Sequence, residues 1–498
     1  MSDVTSSPPV RSRWLALVVL CAGMLMIILD GTIVNVALPA IQDDLGFSQS
    51  DLAWVVNAYL IAFGGLLLLA GRFGDLIGRK RMFLAGLVLF TLASLLCGLA
   101  TSQGLLIGAR FLQGVGGAMT SAVILGMIVT MFPEPREQAK AIGIYSFVAS
   151  AGASIGLLAG GVLTEAISWH WIFFVNVPIG IATAAFAWRL IDDEAGLGLR
   201  HGADVLGAAL VTGSLMLGVY TIVEAGGNGW GSAQTIGQGA IALALMAFFL
   251  ARQAAASEPL LPLRLFRSRN VSGANVILML LVAGLFGMFF LGSLYLERVL
   301  GYEAIEIGLA FLPVSLGIGV LSLFVSPRLG LRFGARPVLL GGLTLIALSL
   351  LWMARLPVDG DYVVDLLPAM FLLGAGAGIS FPQIMTLAMS AATPQDSGLL
   401  SGLINTTQQV GAAVGLAVLA TLATERSEEL IRDGASNPSA LTSGYTLAFA
   451  IGAGFVIAAI AVAIAVLRSP APPAQDVVDE RVEERQRPLE PAYRGEAA

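Results

Sequence analysis

The sequence predicts an all-α membrane protein with 14 transmembrane helices, arranged as two parallel six-helix bundles with two extra helices between them. Three observations lead to this fold class: the composition, the spacing of long apolar runs, and an internal repeat. Of the 498 residues, 57% are hydrophobic and 12% are charged, and the mean hydropathy is +0.85. An average soluble protein is about 25% charged, so the composition already places the chain in the membrane class.

The apolar runs that are long enough to cross a bilayer follow one another along the whole chain. They lie at 14–38, 52–71, 82–100, 105–131, 140–163, 171–190, 204–224, 235–252, 273–296, 307–326, 337–354, 363–388, 399–422 and 443–467. A spanning helix needs about 20 mostly apolar residues. The first run begins like a signal peptide, but it continues past any plausible cleavage point to Asp30 and Ala37. That length favours a spanning helix over a removable segment of about 7–15 apolar residues.

The basic residues predict the orientation in the membrane. If the N-terminus is cytoplasmic, most basic residues fall on cytoplasmic segments, and the outer segments hold only Arg298, Arg355, Arg426 and Arg432. This asymmetry is the one that cytoplasmic loops show, and it predicts a multi-pass protein of the cell membrane with both termini inside. The predicted divisions are a cytoplasmic N-terminus (1–13), a first bundle (14–190), a linker with two inserted helices (191–271), a second bundle (272–467) and a disordered cytoplasmic tail (468–498).

The repeat relates the first six spans to the last six. The fourth span contains ARFLQGVGGA (109–118) and the twelfth contains AMFLLGAGAG (369–378). Glycines of the fifth and thirteenth spans also coincide, at 143/402, 152/411 and 156/415. Two parallel six-helix copies, with spans 7 and 8 inserted between them, are a layout of alternating-access transporters.

The two copies differ in their intramembrane charges. The aligned pairs are Asp75 with Leu331, Arg110 with Met370, and Asp30 with the region of Leu285. Charged groups therefore survive only in the first copy. The thirteenth span instead offers uncharged polar side chains, at Asn405, Thr406, Thr407, Gln408 and Gln409.

Asp30 and Arg110 are candidates for proton coupling. A carboxylate within a spanning helix costs about 2.5–3.5 kcal/mol by insertion scales, and Asp is too short to reach the membrane surface, which favours a proton carrier over a solvated charge. At 1.5 Å per residue, Asp30 lies about 12 Å and Arg110 about 9 Å below the outer ends of their spans, so we expect them to pair. Because arginine does not deprotonate in proteins, Arg110 would hold Asp30 ionised until a proton or a cationic substrate competes.

The segment GRFGDLIGRKR (71–81) is predicted to form a cytoplasmic hairpin between spans 2 and 3. The positive-inside rule explains its basic residues but neither its aspartate nor its glycine spacing. Asp75 is either a helix-end charge near arginines or a latch that binds a helix N-terminus or basic group of the other half, with Gly74 and Gly78 allowing close approach. The candidate gate residues are Gly71, Gly74, Asp75, Gly78, Arg79, Lys80 and Arg81.

Several motifs together resemble those of the major facilitator superfamily. The 71–81 segment resembles its signature cytoplasmic loop, RFLQGVGGA (110–118) its span-4 arginine motif, and GASIGLLAGG (152–161) its span-5 antiporter motif. LDGTIVNVALP (29–39) and WHWIFFVNVPIG (169–180) resemble patterns of the fourteen-span drug:proton antiporter branch. The resemblance covers about residues 14–467.

The resemblance implies proton-driven export of hydrophobic drugs or antibiotics by alternating access. The alternative is an exporter of one specific endogenous metabolite or siderophore. The antiporter-motif glycines are Gly152, Gly156, Gly160 and Gly161, and Leu157 stands where that motif usually has proline. Their smooth face is either ordinary small-residue packing or a hinge that limits leakage.

The predicted substrate cavity combines aromatic and polar side chains of both halves. Near the outer end of span 2, Trp54, Asn57 and Tyr59 either line the cavity or anchor the helix at the membrane interface. The full set is Asp30, Trp54, Asn57, Tyr59, Asn405, Gln408 and Gln409.

Other classes of function find little support in the sequence. The spans show no nucleophile–base pair or nucleotide-binding loop, so we do not expect an enzyme. Cys21 and Cys97 lie in apolar runs, and His170 and His201 lack further ligands at metal spacing, so no metal site is expected. We expect no cofactor other than the proton as coupling ion. The expected partners are the lipid bilayer and small hydrophobic or cationic substrates, without nucleic acid, and the chain is expected to be a monomer.

Overall fold

The computed structural model describes residues 10–47, 52, 54–193, 196–198, 204–256, 259, 261–302, 304–393 and 396–468. Most of the predicted N-terminal segment and all but the first residue of the predicted tail lie outside these ranges. The regular secondary structure of the described residues is entirely helical, which confirms the all-α prediction.

The first half and the insert consist of consecutive helices with short connections. In the first half these are α1 (Val10–Leu45), α2 (Trp54–Ile77), α3 (Arg79–Gly98), α4 (Gln103–Met131), α5 (Pro135–Ala166), α6 (Trp171–Phe174) and α7 (Asn176–Leu190). The insert consists of α8 (Val205–Asn228) and α9 (Ala233–Ala255).

The second half is helical in the same way, with local changes of helix type. Its α-helices are α10 (Arg269–Arg298), α11 (Ala304–Ala310), α12 (Leu312–Val320), α13 (Ser326–Phe333), α14 (Ala335–Met353), α15 (Leu367–Ala388), α16 (Ser397–Arg432) and α17 (Asn437–Ala465). A 3₁₀ turn precedes α10 at Leu263–Arg267. Two π-helical turns, Leu321–Val325 and Tyr362–Leu366, join α12 to α13 and lead into α15.

Each of the predicted apolar runs falls on one of these helices or, as for 171–190, 307–326 and 363–388, on consecutive helical segments. Among the described residues, 12 helices are long and apolar enough to cross a membrane. The runs 140–163 and 204–224 fall on α5 and α8, which are outside that set, although α8 contains a shorter apolar stretch, Leu206–Ile222. The number 14 therefore stays a prediction.

Local sequence explains where many helices begin and end. Ser102, Ser232 and Ser268 each precede a helix, and their side chains accept a hydrogen bond from a backbone N–H of its first turn, as N-cap serines do. Gly78 separates α2 from α3 with φ 102°, and Gly334 separates α13 from α14 with φ 84°. Only glycine adopts such backbone angles without steric cost.

The packing of the helices repeats between the halves. In the first half α1 packs on α5 and α7, α3 packs on α4 and α7, and α2 packs on α4. In the second half the corresponding pairs recur: α10 with α16 and α17, α14 with α15 and α17, and α12 with α15. The internal repeat read from the sequence is therefore also a repeat of helix neighbours.

The two halves meet mainly through α16, which packs on α2 and α4, and through α5, which packs on α12. The inserted α8–α9 hairpin packs on α2 and α16, so it touches both halves. We call the end of the molecule where α2 passes into α3 the Asp75 end; it is the end predicted to be cytoplasmic.

Candidate functional site

Asp30 and Arg110 form an ion pair inside the first half. Asp30 lies near the middle of α1 and Arg110 lies in α4, and their side chains are 0% and 1% exposed. The Arg110 Nη1 donates to Asp30 Oδ2 at 2.6 Å, and its Nε donates to the backbone carbonyl of Val55 at 2.9 Å. Because a buried charge is tolerated only when it is paired and hydrogen-bonded, this geometry accounts for both charges within the apolar core.

The second carboxylate oxygen of Asp30 receives two amide donors. Gln113 Nε2 donates to Oδ1 at 2.7 Å, and Asn176 Nδ2 donates to the same atom at 3.0 Å. Both amides also donate to Ser94 Oγ, at 3.2 Å and 3.1 Å. Ser94 in turn donates to the backbone carbonyl of Phe173 at 2.9 Å. We call Asp30, Ser94, Arg110, Gln113 and Asn176 the Asp30 cluster; it joins α1, α3, α4 and α7.

Aromatic rings cover the guanidinium of Arg110. The ring of Tyr59 lies 4.4 Å from its Cζ and that of Phe173 lies 5.8 Å away, both within the range of cation–π attraction. The Tyr59 side chain is buried. The structure thus places this predicted cavity residue over the ion pair.

Glycines of α5 hold α1 closely. A Cβ atom added at Gly152 would lie 3.0 Å from Ile28, and one at Gly160 would lie 2.9 Å from the carbonyl of Ile33. Gly156 faces Thr32 between them. These three glycines therefore pack against α1, within their own half, on either side of Asp30. Gly161 was grouped with them but faces open space, because one residue further along a helix points about 100° away from that face.

Asp75 binds the N-terminus of a helix from the other half. Its two carboxylate oxygens accept hydrogen bonds from the backbone N–H groups of Gly398, at 2.9 Å, and Leu399, at 2.8 Å. These N–H groups belong to the first turn of α16, where helices leave donors unsatisfied and carry a partial positive charge. Arg79 donates to the same carboxylate at 3.1 Å, and Asp75 is buried. We call this set of contacts the Asp75 latch.

The segment around Asp75 is not the loop that the sequence suggested. The helix α2 continues through Ile77, and Gly78 alone forms the turn to α3. Nothing in the sequence interrupts the helix earlier, since glycine inside a helix costs only about 1 kcal/mol.

Within the 71–81 segment, the glycine that allows close approach between the halves is Gly71, not Gly74 or Gly78. A Cβ atom at Gly71 would lie 2.5 Å from the carbonyl oxygen of Gly398, whereas Gly74 packs on Val123 of its own half. Gly78 supplies the left-handed turn.

The last two basic residues of this segment lie closer to the surface: Lys80 is half-buried and Arg81 is exposed, whereas Arg72 is buried. Lys80 Nζ donates to the backbone carbonyl of Trp188 at 2.9 Å, and Arg81 pairs with Asp193 at 3.3 Å, both side chains being exposed. Exposed pairs of this kind contribute about 0–1 kcal/mol. Lys80 thus ties α3 to the last turn of α7, and Arg81 ties it to the segment that follows α7, so both contacts stay within the first half.

The other predicted cavity residues lie in different surroundings. Trp54 stacks on Tyr220 of the inserted α8, with ring centroids 5.8 Å apart. Asn405 is buried and donates to the carbonyl of Ser121 across the two halves at 3.3 Å. Asn57, Gln408 and Gln409 are half-buried. The structure therefore does not gather the predicted set into one cluster around Asp30.

Residues able to bind a metal are not grouped in the described part of the chain, where no three His, Cys, Asp or Glu side chains come together suitably. Cys21 and Cys97 are free and buried. His170 stacks on Trp169, with ring centroids 3.8 Å apart, and His201 lies outside the described residues.

Sequence reasoning missed three members of the Asp30 cluster. Gln113 lies within the span-4 motif RFLQGVGGA and Asn176 within WHWIFFVNVPIG, so both stood in motifs already singled out. A polar amide inside an apolar span needs a hydrogen-bond partner, and this rule could have predicted that Gln113 and Asn176 bind Asp30. Ser94 gives no such signal, because a serine hydroxyl can bond to its own helix.

Two repeated helical halves, with a buried ion pair inside the first half and the Asp75 latch between the halves, are the architecture of a membrane transporter. The comparisons with known proteins agree. The family model described as Major Facilitator Superfamily matches residues 20–416, and the chain belongs to that superfamily. It is thus a multi-pass membrane protein.

Similar proteins include several exporters. The puromycin resistance protein pur8 of Streptomyces alboniger is 38% identical over 455 residues, which are 90% of this chain and 90% of that protein. The cephamycin export protein CmcT of Amycolatopsis lactamdurans is 37% identical over 457 residues, 91% of this chain and 92% of its own. The multidrug resistance protein Stp of Mycobacterium tuberculosis is 34% identical over 412 residues, 83% and 76% of the two chains.

A solved structure supports the fold. The human organic anion transporter MFSD10 (TETRAN) superimposes with a TM-score of 0.64 and 13% identity, covering 91% of this chain and 99% of its own. At that identity the likeness concerns the architecture alone.

Proposed function

We propose that the protein is a proton-driven antiporter that exports hydrophobic drugs or antibiotics across the cytoplasmic membrane by alternating access. The observation that carries the proposal is the fully buried Asp30–Arg110 pair. The family and the printed names of the similar exporters support the direction and the type of substrate.

Asp30 is the proton carrier in this proposal because Arg110 cannot lose its proton. The guanidinium and two amides keep the carboxylate ionised in the described state. A proton or a cationic substrate that reaches Asp30 competes with Arg110 for the same charge. Since a buried carboxylate whose charge is neutralised no longer requires its partner, protonation loosens the tie between α1 and α4.

Alternating access in this proposal uses the Asp75 latch. With the latch formed, α2 and α16 lie so close that Gly71 and Gly398 leave no room for a Cβ atom, which closes the Asp75 end. Opening that end separates Asp75 from the Gly398 and Leu399 N–H groups. The proposed topology places the Asp75 end and both chain termini in the cytoplasm, and the protein acts as a monomer with no cofactor beyond the coupling proton.

A second candidate is an exporter dedicated to one endogenous metabolite or siderophore. The names of the similar proteins support retaining this candidate, since one is a multidrug resistance protein and another is a cephamycin export protein. Resistance profiles in a pump-deficient host separate the two. Protection against several unrelated compounds supports the multidrug function, and protection against a single compound supports the dedicated exporter.

Proton coupling is tested with Asp30→Asn in proteoliposomes that carry a pH-sensitive dye. We expect drug addition to move protons with the unsubstituted protein and not with the variant. Asp43→Asn is the matched control, because Asp43 lies on the same helix but is exposed, and it should behave like the unsubstituted protein. Unchanged drug-dependent proton movement in Asp30→Asn would show that the proton carrier is another residue.

A further inference from the structure

One oxygen in the Asp30 cluster is left without a partner. Asn176 is 0% exposed, and its amide nitrogen is fully used, donating to Asp30 Oδ1 and to Ser94 Oγ. Its amide oxygen Oδ1 has no hydrogen-bond partner among the described residues. A buried acceptor without a donor costs free energy. Asn176 Oδ1 can therefore still accept a hydrogen bond, and it belongs to an amide that contacts the carboxylate of Asp30.

The neighbouring amide does not have this freedom. Gln113 Nε2 donates to Asp30 Oδ1, while Gln113 Oε1 accepts from Arg110 Nη1 at 2.8 Å. Turning this amide over would set its nitrogen against the guanidinium, donor against donor. Gln113 is therefore fixed in its orientation, and Asn176 is not.

The acceptors around Asp30 decide where a proton can go. On Oδ2 it would face Arg110, whose guanidinium has no acceptor. On Oδ1 it faces Gln113 Nε2 and Asn176 Nδ2, which are both donors in the ionised state. Ser94 Oγ is saturated, because it accepts from both amides and donates to the Phe173 carbonyl. The unused acceptor in the cluster is Asn176 Oδ1.

We propose that Asn176 is a positioning residue that senses the protonation of Asp30 by turning its side-chain amide over. The inference rests on the proposed role of Asp30 as proton carrier. In the ionised state Asn176 Nδ2 donates to the carboxylate. When a proton binds at Oδ1, the amide rotates by half a turn, and Asn176 Oδ1 accepts the hydrogen bond from the new Asp30 hydroxyl.

The rotation of the Asn176 amide also changes the hydrogen bonds of Ser94 in α3. With Asn176 Oδ1 in the place of Nδ2, Ser94 Oγ faces an oxygen at 3.1 Å instead of a donor. The Ser94 hydroxyl then rotates to donate to Asn176 and gives up the Phe173 carbonyl. Phe173 lies within the short helix α6, which ends at Phe174, and Asn176 begins α7 after the break at Val175. Protonation of Asp30 in α1 thus removes a hydrogen bond that holds α3 to this break.

In the described part of the chain, three other charged or titratable groups face the cluster. They are Arg110 from α4, Tyr59 from α2 and Cys97 from α3, whose thiol lies 3.5 Å from Gln113 Oε1. The α5 face against α1 consists of glycines at this level, and α7 contributes Asn176. Asp30 is therefore the carboxylate to which the switch responds.

Infrared difference spectra between acid and alkaline pH test the proposal on the unsubstituted protein in lipid. Asparagine labelled with carbon-13 at its side-chain carbonyl identifies the amide band. We expect the Asn176 carbonyl band to move to lower frequency as the Asp30 carboxylic acid band appears, because an unbonded carbonyl becomes a hydrogen-bond acceptor. Both bands should vanish in Asp30→Asn, and only the amide band in Asn176→Val.

The outcomes separate this inference from the function on which it rests. If no carboxylic acid band depends on Asp30, the proton carrier itself is misassigned. If that band appears without an asparagine band that depends on both residues, Asp30 carries the proton and the amide switch is wrong. The unsubstituted protein decides this point even if Asn176→Val does not fold.

Transport rates give an independent readout. Valine and threonine have the same shape, but only the threonine hydroxyl can both donate and accept. We expect Asn176→Val to lower kcat by about tenfold or more, with KM within about threefold, and Asn176→Thr to stay within about threefold of the unsubstituted protein. A rate for Asn176→Val equal to that of the unsubstituted protein would show that Asn176 only fills space.

Discussion

The two six-helix halves share a close glycine-mediated helix crossing but not their polar interior. In the first half Gly86 packs into α4 against Gly116 and Thr120, and in the second half Gly342 packs into α15 in the same way, against Gly376 and Ser380. At the positions that align with Asp30, Ser94, Arg110 and Gln113, the second half has only buried apolar side chains. These are Leu285, Leu350, Met370 and Leu373.

The difference separates what the fold requires from what the function requires. Glycine contacts and left-handed glycine turns recur because both halves must bring helices close and reverse the chain. The Asp30 cluster does not recur, so the fold does not need it. A buried ion pair is weak evidence for stability, and its presence in one half alone agrees with the coupling role proposed for it.

Arg110 should give the largest contrast between the halves. Arg110→Gln leaves Asp30 buried without its cation, and removing one partner of a buried pair costs about 3–5 kcal/mol. We expect drug export to fall by more than about 100-fold, which corresponds to about 2.7 kcal/mol. Efflux from proteoliposomes at matched protein content measures this. The aligned variant in the second half, Met370→Leu, should change export by less than about twofold, since volume-conserving apolar exchanges are well tolerated. A similar loss in both variants would mean that packing, not charge, matters at this level of the bundle.

Asp75 should give the next largest contrast. Asp75→Asn keeps the shape but removes the charge on the α16 N-terminus, so closing of the Asp75 end becomes less favourable. We expect turnover to fall by about tenfold or more while drug affinity changes by less than about threefold, because a charge at a helix N-terminus is worth up to about 2 kcal/mol and does not touch substrate. Turnover in proteoliposomes and binding of a fluorescent drug to solubilised protein separate the two.

The matched control for the latch is Leu331→Asn. Leu331 aligns with Asp75 but is 50% exposed, so this variant should transport normally. An affinity loss in Asp75→Asn as large as the loss of turnover would contradict the latch.

The sequence was sufficient to predict most of the fold. Long apolar runs marked each helix because backbone polar groups in a membrane must be satisfied within the helix itself. The repeat followed from glycine spacing. The errors concern helix ends: α1 continues to Leu45 and α2 to Ile77, well beyond the apolar runs, since polar residues outside the bilayer still form helix.

The candidate site was predicted less completely. Asp30 and Arg110 could be found because a charge in an apolar run is conspicuous, and Asp75 because the positive-inside rule does not explain an aspartate among basic residues. The Gly398 and Leu399 N–H groups that bind Asp75 could not, because backbone donors leave no mark in the sequence. Tyr59 was placed in a cavity because an aromatic ring in a span has many possible surroundings, and only tertiary packing sets it over Arg110.

Gly71 tests whether close contact between the halves is needed at the Asp75 end. In Gly71→Ala the added methyl group would lie 2.5 Å from the Gly398 carbonyl oxygen, and backbone cannot move aside as a side chain can. We expect the latch to be held open and turnover to fall by about fivefold to tenfold, as overpacking costs about 1–3 kcal/mol.

The measurement uses a single cysteine introduced at the Asp75 end and a membrane-impermeant thiol reagent. The labelling of this cysteine should increase in Gly71→Ala. Gly341→Ala is the control, because Gly341 has open space around it. Unchanged accessibility in both variants would show that the halves do not depend on this contact.

The smallest effect is expected in the insert, which belongs to neither copy. Asp204 caps the N-terminus of α8 and receives hydrogen bonds from Arg252 and Gln253 in the last turn of α9. Burial raises the pKa of Asp204, but the hydrogen bonds from Gly207, Arg252 and Gln253 and the charge of Arg252 outweigh it, so the pKa lies below its ordinary value. A carboxyl group with a lowered folded-state pKa stabilises the fold above its unfolded pKa of about 3.9, and that contribution is lost as the pH falls below this value.

Asp204→Asn should therefore destabilise the protein by about 1 kcal/mol at neutral pH, with a difference from the unsubstituted protein that shrinks as the pH falls below about 4. Thermal unfolding of solubilised protein at several pH values measures this, and Asp433→Asn, at an exposed position after α16, should show no difference at any pH. Drug-dependent proton movement should stay within about twofold, since about 1 kcal/mol of stability leaves nearly all molecules folded. A loss of coupling in Asp204→Asn as severe as that in Arg110→Gln would contradict the contrast between the halves, because the inserted hairpin, which packs on both α2 and α16, would then belong to the coupling machinery.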